Sequence, residues 1–340
     1  MGTYLSRTAG KPSEPTISRD SSDYPTGLKT LEVPLSPTVD IVFVHGLGGN
    51  RETSWSHTQT GVCWPKDFLP HDIPSARILS WGYDSDIIRF FKMTSSNKLR
   101  NHAESFAFAL ANHREDCPGR PIIFICHSLG GLICEQALLC CRSSNEKRMK
   151  SVLDCTGAVI FMGTPHSGSH LANWGGTLAK LVSKFHTANP ALLDVLEPGS
   201  QLLVNLQTDF QQLLLNPSRH ISVFCFYEEY AVSGFGMIVP YESAIMEQYE
   251  RAGIGANHMD MAKFGTRNDS GYVSVLKLLQ SWMKDFQASA AEKDRSKHKE
   301  SERFPRAGTG KVINSRVSGG QVYMGDINHC GSGNIAFHAG

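Results

Sequence analysis

The sequence predicts an α/β fold, a mostly parallel sheet with helices on both faces. Two observations carry this expectation. Several segments, among them DIVFV, RILSW, PIIFIC, AVIFM and ISVFCF, are apolar almost throughout instead of alternating, as strands buried on both faces must be. Between them lie stretches with helical spacing, so strands and helices take turns along the chain. The length of 340 residues and the 41% hydrophobic content suffice for one large domain plus tails.

Residues 1–27, rich in Ser, Thr, Pro and Gly, read as a disordered N-terminal segment, and 28–287 as the globular domain. TLEVPL reads as an edge strand, where Pro34 is tolerated. VDIVFVHGLGG is a strand with a Gly-rich turn, and ARILSWGYDSD a second strand and loop. NKLRNHAESFAFALANHRED has helical spacing and stops before the turn CPGRP. RPIIFICHSLGGLICEQAL passes from strand to turn to helix, and TGAVIFMGTPHSGS from strand to loop. Residues 170–218 read as an amphipathic helical cap or lid, RHISVFCFYEEY as a strand, GFGMIVP as a short strand, and SGYVSVLKLLQSWMKDF as a terminal helix. Residues 288–304 are a charged linker; its run AEKDRSKHKESER reads as a solvated linker or a helical extension.

A net charge of +1 gives no basic field, so nucleic acid is not expected as a partner. The nine cysteines accompany no apolar leader segment, and Cys126, Cys134 and Cys225 stand inside apolar runs as small core residues. A reducing, cytoplasmic compartment without disulfides is expected. No metal-ligand spacing is evident, no cofactor is needed, and no apolar stretch has the length of a membrane span. Met1-Gly2-Thr3-Tyr4-Leu5-Ser6 fits the M-G-x-x-x-[ST] pattern, which makes Gly2 a candidate myristoylation site and a membrane surface a candidate partner.

The chemistry centres on Cys126-His127-Ser128-Leu129-Gly130-Gly131. A serine set where a buried strand turns sharply into a helix is the nucleophile elbow of α/β-hydrolases, G-x-S-x-G. Here Cys126 replaces the first Gly; that position asks only for a small side chain, and Cys is small. The competing reading of Ser128 is a helix N-cap. A serine also needs a base, and the base a third group to orient it, in the chain order Ser, acid, His. His258, in GIGANHMDMAKF, is the candidate base, since His298, His329 and His338 fall in the linker or tail. Glu228 and Glu229 both end the strand ISVFCFYEEY; adjacent strand residues face opposite ways, and Glu228 is preferred as the acid. Asp260 is too close to His258 in sequence to orient it. His166 and His170 read as loop or substrate-site residues. The loop His45-Gly46-Leu47-Gly48-Gly49 offers an oxyanion donor at the Leu47 amide, with Leu129 as the other. A dinucleotide loop is excluded because Arg51 stands where G-x-G-x-x-G needs its last glycine.

Six ordered motifs, VDIVFVHGLGG, RILSWGYDSD, RPIIFICHSLGGLICEQAL, GAVIFMGTPHSGS, FYEE and NHMDMAKF, resemble the lipase-like serine esterases of the α/β-hydrolase superfamily. More narrowly they resemble SERAC-like and fungal SesB-like hydrolase domains, over about residues 28–287. Asn257 stands where that pattern often has Asp. The resemblance implies hydrolysis of an ester, with lipids as the substrate class. A thioesterase or peptidase on the same triad, or a non-catalytic signalling scaffold, remains open. The tail, 305–340, has short β-prone pieces between Gly, Asn and Ser, with sparse charge and no Pro. A disordered Gly-rich tail is the competing reading. The tail resembles the amyloid-signalling motifs of fungal effectors. This implies self-assembly, a NOD-like receptor as partner, and a role in programmed cell death of the heterokaryon-incompatibility type.

Overall fold

The computed structural model describes residues 26–83, 96–166 and 201–303. The expected disordered segment, the tail and most of the expected cap lie outside the described residues, as do Gly2 and His170. The chain divides into two compact units, residues 1–290 and 291–340.

Among the described residues, seven strands form one sheet: β1 Gly27–Glu32, β2 Val39–Val44, β3 Ala76–Gly82, β4 Ile122–His127, β5 Thr156–Met162, β6 Ser222–Glu228 and β7 Glu250–Ile254. Their order across the sheet is β1-β3-β2-β4-β5-β6-β7. β1 runs antiparallel to β3 and every other pairing is parallel. β1 starts earlier than TLEVPL suggests and ends at Glu32, before Pro34, which cannot donate to a ladder. The helices are α1 Trp64–Asp67, α2 Leu69–Asp72, α3 Ser96–His113, α4 Leu129–Ser143, α5 Lys147–Cys155, α6 Gln201–Leu214, α7 Tyr241–Ala244 and α8 Ser270–Arg303.

The apolar strands read as they do because side chains leave the sheet on alternate faces and both faces are covered. Val42, Val44, Phe124, Cys126 and Phe161 face one core, which α3, α4, α5 and α6 close. Ile41, Phe43, Ile123, Ile125 and Ile160 face the other, closed by Trp55, Trp64, Phe264 and the first turns of α8. Trp64 makes edge contacts with Phe43 and Tyr272, and its indole N–H donates to the Ala262 carbonyl at 2.9 Å, so this large ring is buried without an orphaned donor.

This is the α/β-hydrolase fold: a parallel sheet with one antiparallel edge strand and a strand-to-helix turn at its centre. GFGMIVP departs from expectation. It forms no strand, only an isolated bridge between Val232 and Gly236, while a five-residue strand follows it at Glu250–Ile254.

Candidate active site

The parallel registers set the carboxyl ends of five strands side by side. Val44 pairs with Cys126, His127 with Met162, Met162 with Phe226, and Glu228 with Ile254. The loops leaving β2, β4, β5 and β6, and the segment after β7, therefore meet above one edge of the sheet, where ligands bind in folds of this type.

At the centre, β4 ends at His127 and α4 begins at Leu129. Ser128 takes the whole reversal on one residue, with φ 53 and ψ −125; it stands at the N-cap position of the competing reading, but its side chain makes no cap bond and is left to His258. Among the described residues it is the one non-glycine with a left-handed φ. Such a conformation costs roughly 1–3 kcal/mol and persists only where the surroundings impose it. The imposing contacts are visible. The Ser128 amide donates to the Met162 carbonyl at 2.9 Å, and a Cβ on Gly130 would collide with the Val44 carbonyl. Cys126, in place of the usual glycine, is fully buried, and its thiol meets that of Cys134 on α4.

Ser128 Oγ lies 2.9 Å from His258 Nε2, and His258 Nδ1 lies 3.6 Å from Glu228 Oε1. All three side chains are buried. The carboxylate is held by two backbone amides, Val239 N–H to Oε1 at 2.6 Å and His258 N–H to Oε2 at 3.0 Å. At 3.6 Å the Nδ1–carboxylate pair is an ion-pair contact longer than a hydrogen bond. Glu229 is exposed at the same strand end, and Asp260 turns outward to Asn257 and Lys263.

The loop after β2 reaches the serine. Gly46 sits so close that a Cβ there would stand 2.7 Å from Ser128 Cβ, which brings the following residue, Leu47, over the site. Among the described residues, neither the Leu47 nor the Leu129 amide meets a hydrogen-bond acceptor. A cavity of about 130 Å³ opens between residues 46–49, His127, Met259 and Lys263.

His127 has a part that sequence reasoning did not find. Its Nε2–H donates to the His258 carbonyl at 2.9 Å, tying the base's loop to the elbow. Burial, then the neighbouring His258, push its pKa down to about 3, so the ring stays neutral. His45 is likewise buried and neutral, held down at about 4, stacked on Tyr83. His166, expected as a loop or substrate-site residue, does lie in the loop after β5, but its ring is buried, 3.0 Å from Glu135. The only signal for that pairing in the sequence is Glu135 itself, a charge inside an apolar helix.

No family model matches the chain. Its sequence is similar to SERAC1 of Bos taurus, 26% identical over 244 residues, and of Mus musculus, 28% identical over 260 residues. Those alignments cover 66% and 71% of this chain. The chain spans little more than a third of the length of these relatives, 36% and 38%. Among solved structures, a lipase-esterase related protein from Clostridium acetobutylicum aligns over 76% of this chain and 100% of its own, at 11% identity and TM-score 0.37. The phospholipase PlaB from Legionella pneumophila aligns over 58% of this chain and 39% of its own, at 23% identity and TM-score 0.38.

Proposed function

We propose that this chain is a serine hydrolase of ester bonds, with lipids as its substrate class. The observation that carries the reading is the Ser128 hydroxyl, on a strained elbow, 2.9 Å from the imidazole of His258. In this mechanism Nδ1 carries the proton and faces Glu228, leaving Nε2 to accept the Ser128 proton. Oγ attacks the ester carbonyl, and the Leu47 and Leu129 amides hold the oxyanion. His258 returns the proton to the departing alcohol, leaving an acyl-serine. A water activated by His258 then releases the acid and restores the serine. Glu228 stabilises the imidazolium, and its contact to Nδ1 tightens when substrate excludes water.

Ser128→Ala is expected to abolish both hydrolysis of short p-nitrophenyl esters and labelling by a fluorophosphonate probe. Unchanged labelling would remove the assignment. The lipid substrate class rests on the sequence resemblance and the Leu-rich segment 170–218, and product analysis on lipid, thioester and peptide panels tests it. A wild-type chain inert on all three panels would favour the scaffold reading.

The effector role is carried by the sequence of the tail alone. In this reading 305–340 assembles into cross-β fibrils when seeded by a matching motif on a NOD-like receptor, and so clusters the hydrolase to trigger cell death. A 305–340 peptide that stays monomeric and thioflavin-negative when seeded would refute it, while the hydrolase reading would stand. Myristoylation at Gly2 would supply one weak membrane anchor. Gly2→Ala should then release the protein from membranes, and an unchanged distribution speaks against it.

A further inference from the structure

We propose that His166 is a positioning residue: paired with Glu135, it clamps the turn 163–166 between the nucleophile helix and the base, and so keeps His258 aligned with Ser128. The inference rests on the hydrolase reading above and concerns a buried polar cluster that the mechanism itself does not use.

Glu135 lies on α4, seven residues past Ser128, and is fully buried. A buried carboxylate costs several kcal/mol unless each oxygen is paired, and an apolar side chain of similar size is often as stable or more so. Here both oxygens are paired. His166 Nδ1 meets Oε1 at 3.0 Å, and Gln207 Nε2, from α6, donates to Oε2 at 2.6 Å. His166 is also fixed through its backbone, its amide donating to the Ser243 carbonyl of α7 at 2.6 Å.

The turn so anchored touches both reacting partners. Gly131, in the first turn of α4, has no room for a Cβ because the Thr164 side chain occupies that place. Gly163, with φ 59, has none to spare either. A Cβ there would stand 3.0 Å from both Cε1 and Nδ1 of His258. One short turn therefore packs on the helix that carries the nucleophile and backs the ring of the base. Its side-chain anchor is the His166–Glu135 pair, beside the backbone bonds of Gly163 to Phe226 and of His166 to Ser243. A displacement of about 1 Å between reacting groups can cost on the order of a hundredfold in rate.

The pairing favours a charged imidazole, while burial pushes the Glu135 carboxyl up. Burial opposes a charge on His166, but the Cys225 thiol and the Glu135 carboxylate outweigh it and hold the imidazole at about 9. Among the described residues, those two are the titratable groups that meet the ring, and Phe161 packs against it edge to face.

The test uses the full chain, with p-nitrophenyl ester turnover normalised to sites counted by fluorophosphonate titration. His166→Ala is expected to lower kcat per titrated site at least tenfold with KM within twofold. His166→Asn, whose amide nitrogen takes the place of Nδ1, should recover most of the loss. A role in folding alone would lower the number of titrated sites and leave their turnover intact. Full turnover in His166→Ala, or an Asn variant no better than Ala, would overturn the proposal. If His166→Ala does not fold, Glu135→Gln decides. Gln207 can turn its amide over to satisfy that neutral pair, and a kcat loss of at least threefold is expected, whereas unchanged kcat would overturn the proposal. If Ser128→Ala retains full ester turnover, the hydrolase reading falls and this proposal with it. Activity that depends on Ser128 but not on His166 removes only the clamp.

Discussion

Glu228 has both oxygens engaged by backbone amides, and this gives it two tasks at once: it faces Nδ1 of the base, and it holds the segment carrying the base through the His258 amide. Glu228→Gln should therefore lower kcat by roughly 10³–10⁴-fold, because the imidazolium loses its counter-charge. It should also lower the thermal midpoint, because the new NH2 faces one of two amide donors. Glu229→Gln, altering an exposed neighbour, should change neither by more than a small factor, and steady-state kinetics on both variants checks this. At this scale the sequence is informative where roles follow from order along the chain. Ser128 before Glu228 before His258 needs no coordinates, and strand alternation separates Glu228 from Glu229. It is silent where a role depends on two loops meeting. Nothing local announces that His127 bonds a carbonyl 131 residues away, or that His166 turns inward to Glu135.

The elbow works only if α4 can lie against β2. Gly130 packs on the Val44 and His45 carbonyls, main-chain atoms that cannot rotate away as a side chain could. Gly130→Ala should thus displace the start of α4, and with it the Leu129 amide and Ser128. The expected result is loss of fluorophosphonate labelling, with folded yield by circular dichroism reduced; wild-type labelling would show that the approach has slack. The fully buried strands were the legible elements, because a short, continuous apolar run bounded by turns finds its natural place in a sheet covered on both faces. β7 was not legible: ERAGI carries two charges and a glycine, lies at the sheet edge, and is largely open to solvent. GFGMIVP looked like a strand from its apolar content, yet Ile238 and Val239 are buried in a loop that brings the Val239 amide to Glu228. The charged run 291–303 is the helical extension of the two readings, since α8 continues to Arg303.

At the scale of the molecule, His45, His127 and His166, all buried, set opposing pH limits. His45 and His127 have folded pKa values of about 4 and about 3, below the ordinary value near 6.5. The unfolded chain takes up those protons first, so their contribution is complete above pH 6.5 and is lost as pH falls through about 4 for His45 and about 3 for His127, on the order of 3–5 kcal/mol each. His166 is shifted the other way, to about 9, so its contribution is complete below 6.5 and is lost as pH rises through 9. Thermal midpoints measured from about pH 4 to about 10 should peak near 6.5; a flat acid limb would contradict this account. At the opposite end of the sheet from Ser128, Asp40 joins β2 to three arginines: Arg77 of β3, Arg114 after α3, and Arg120 before β4. Burial would raise the Asp40 pKa, but the guanidiniums bring it below the usual carboxylate range. Asp40→Asn would strand buried cations, and a loss of about 3–5 kcal/mol in denaturant unfolding is expected. The backbone of Ser128 has a consequence of its own for the balance between durability and work. Glycine normally weakens a chain relative to alanine, but at φ 53 it is the residue that rests easily. Ser128→Gly should therefore outlast Ser128→Ala by about 1 kcal/mol, though the proposed mechanism leaves both inactive. On the proposed mechanism, the fold would be sturdier with no side chain at the very position where the chemistry demands one.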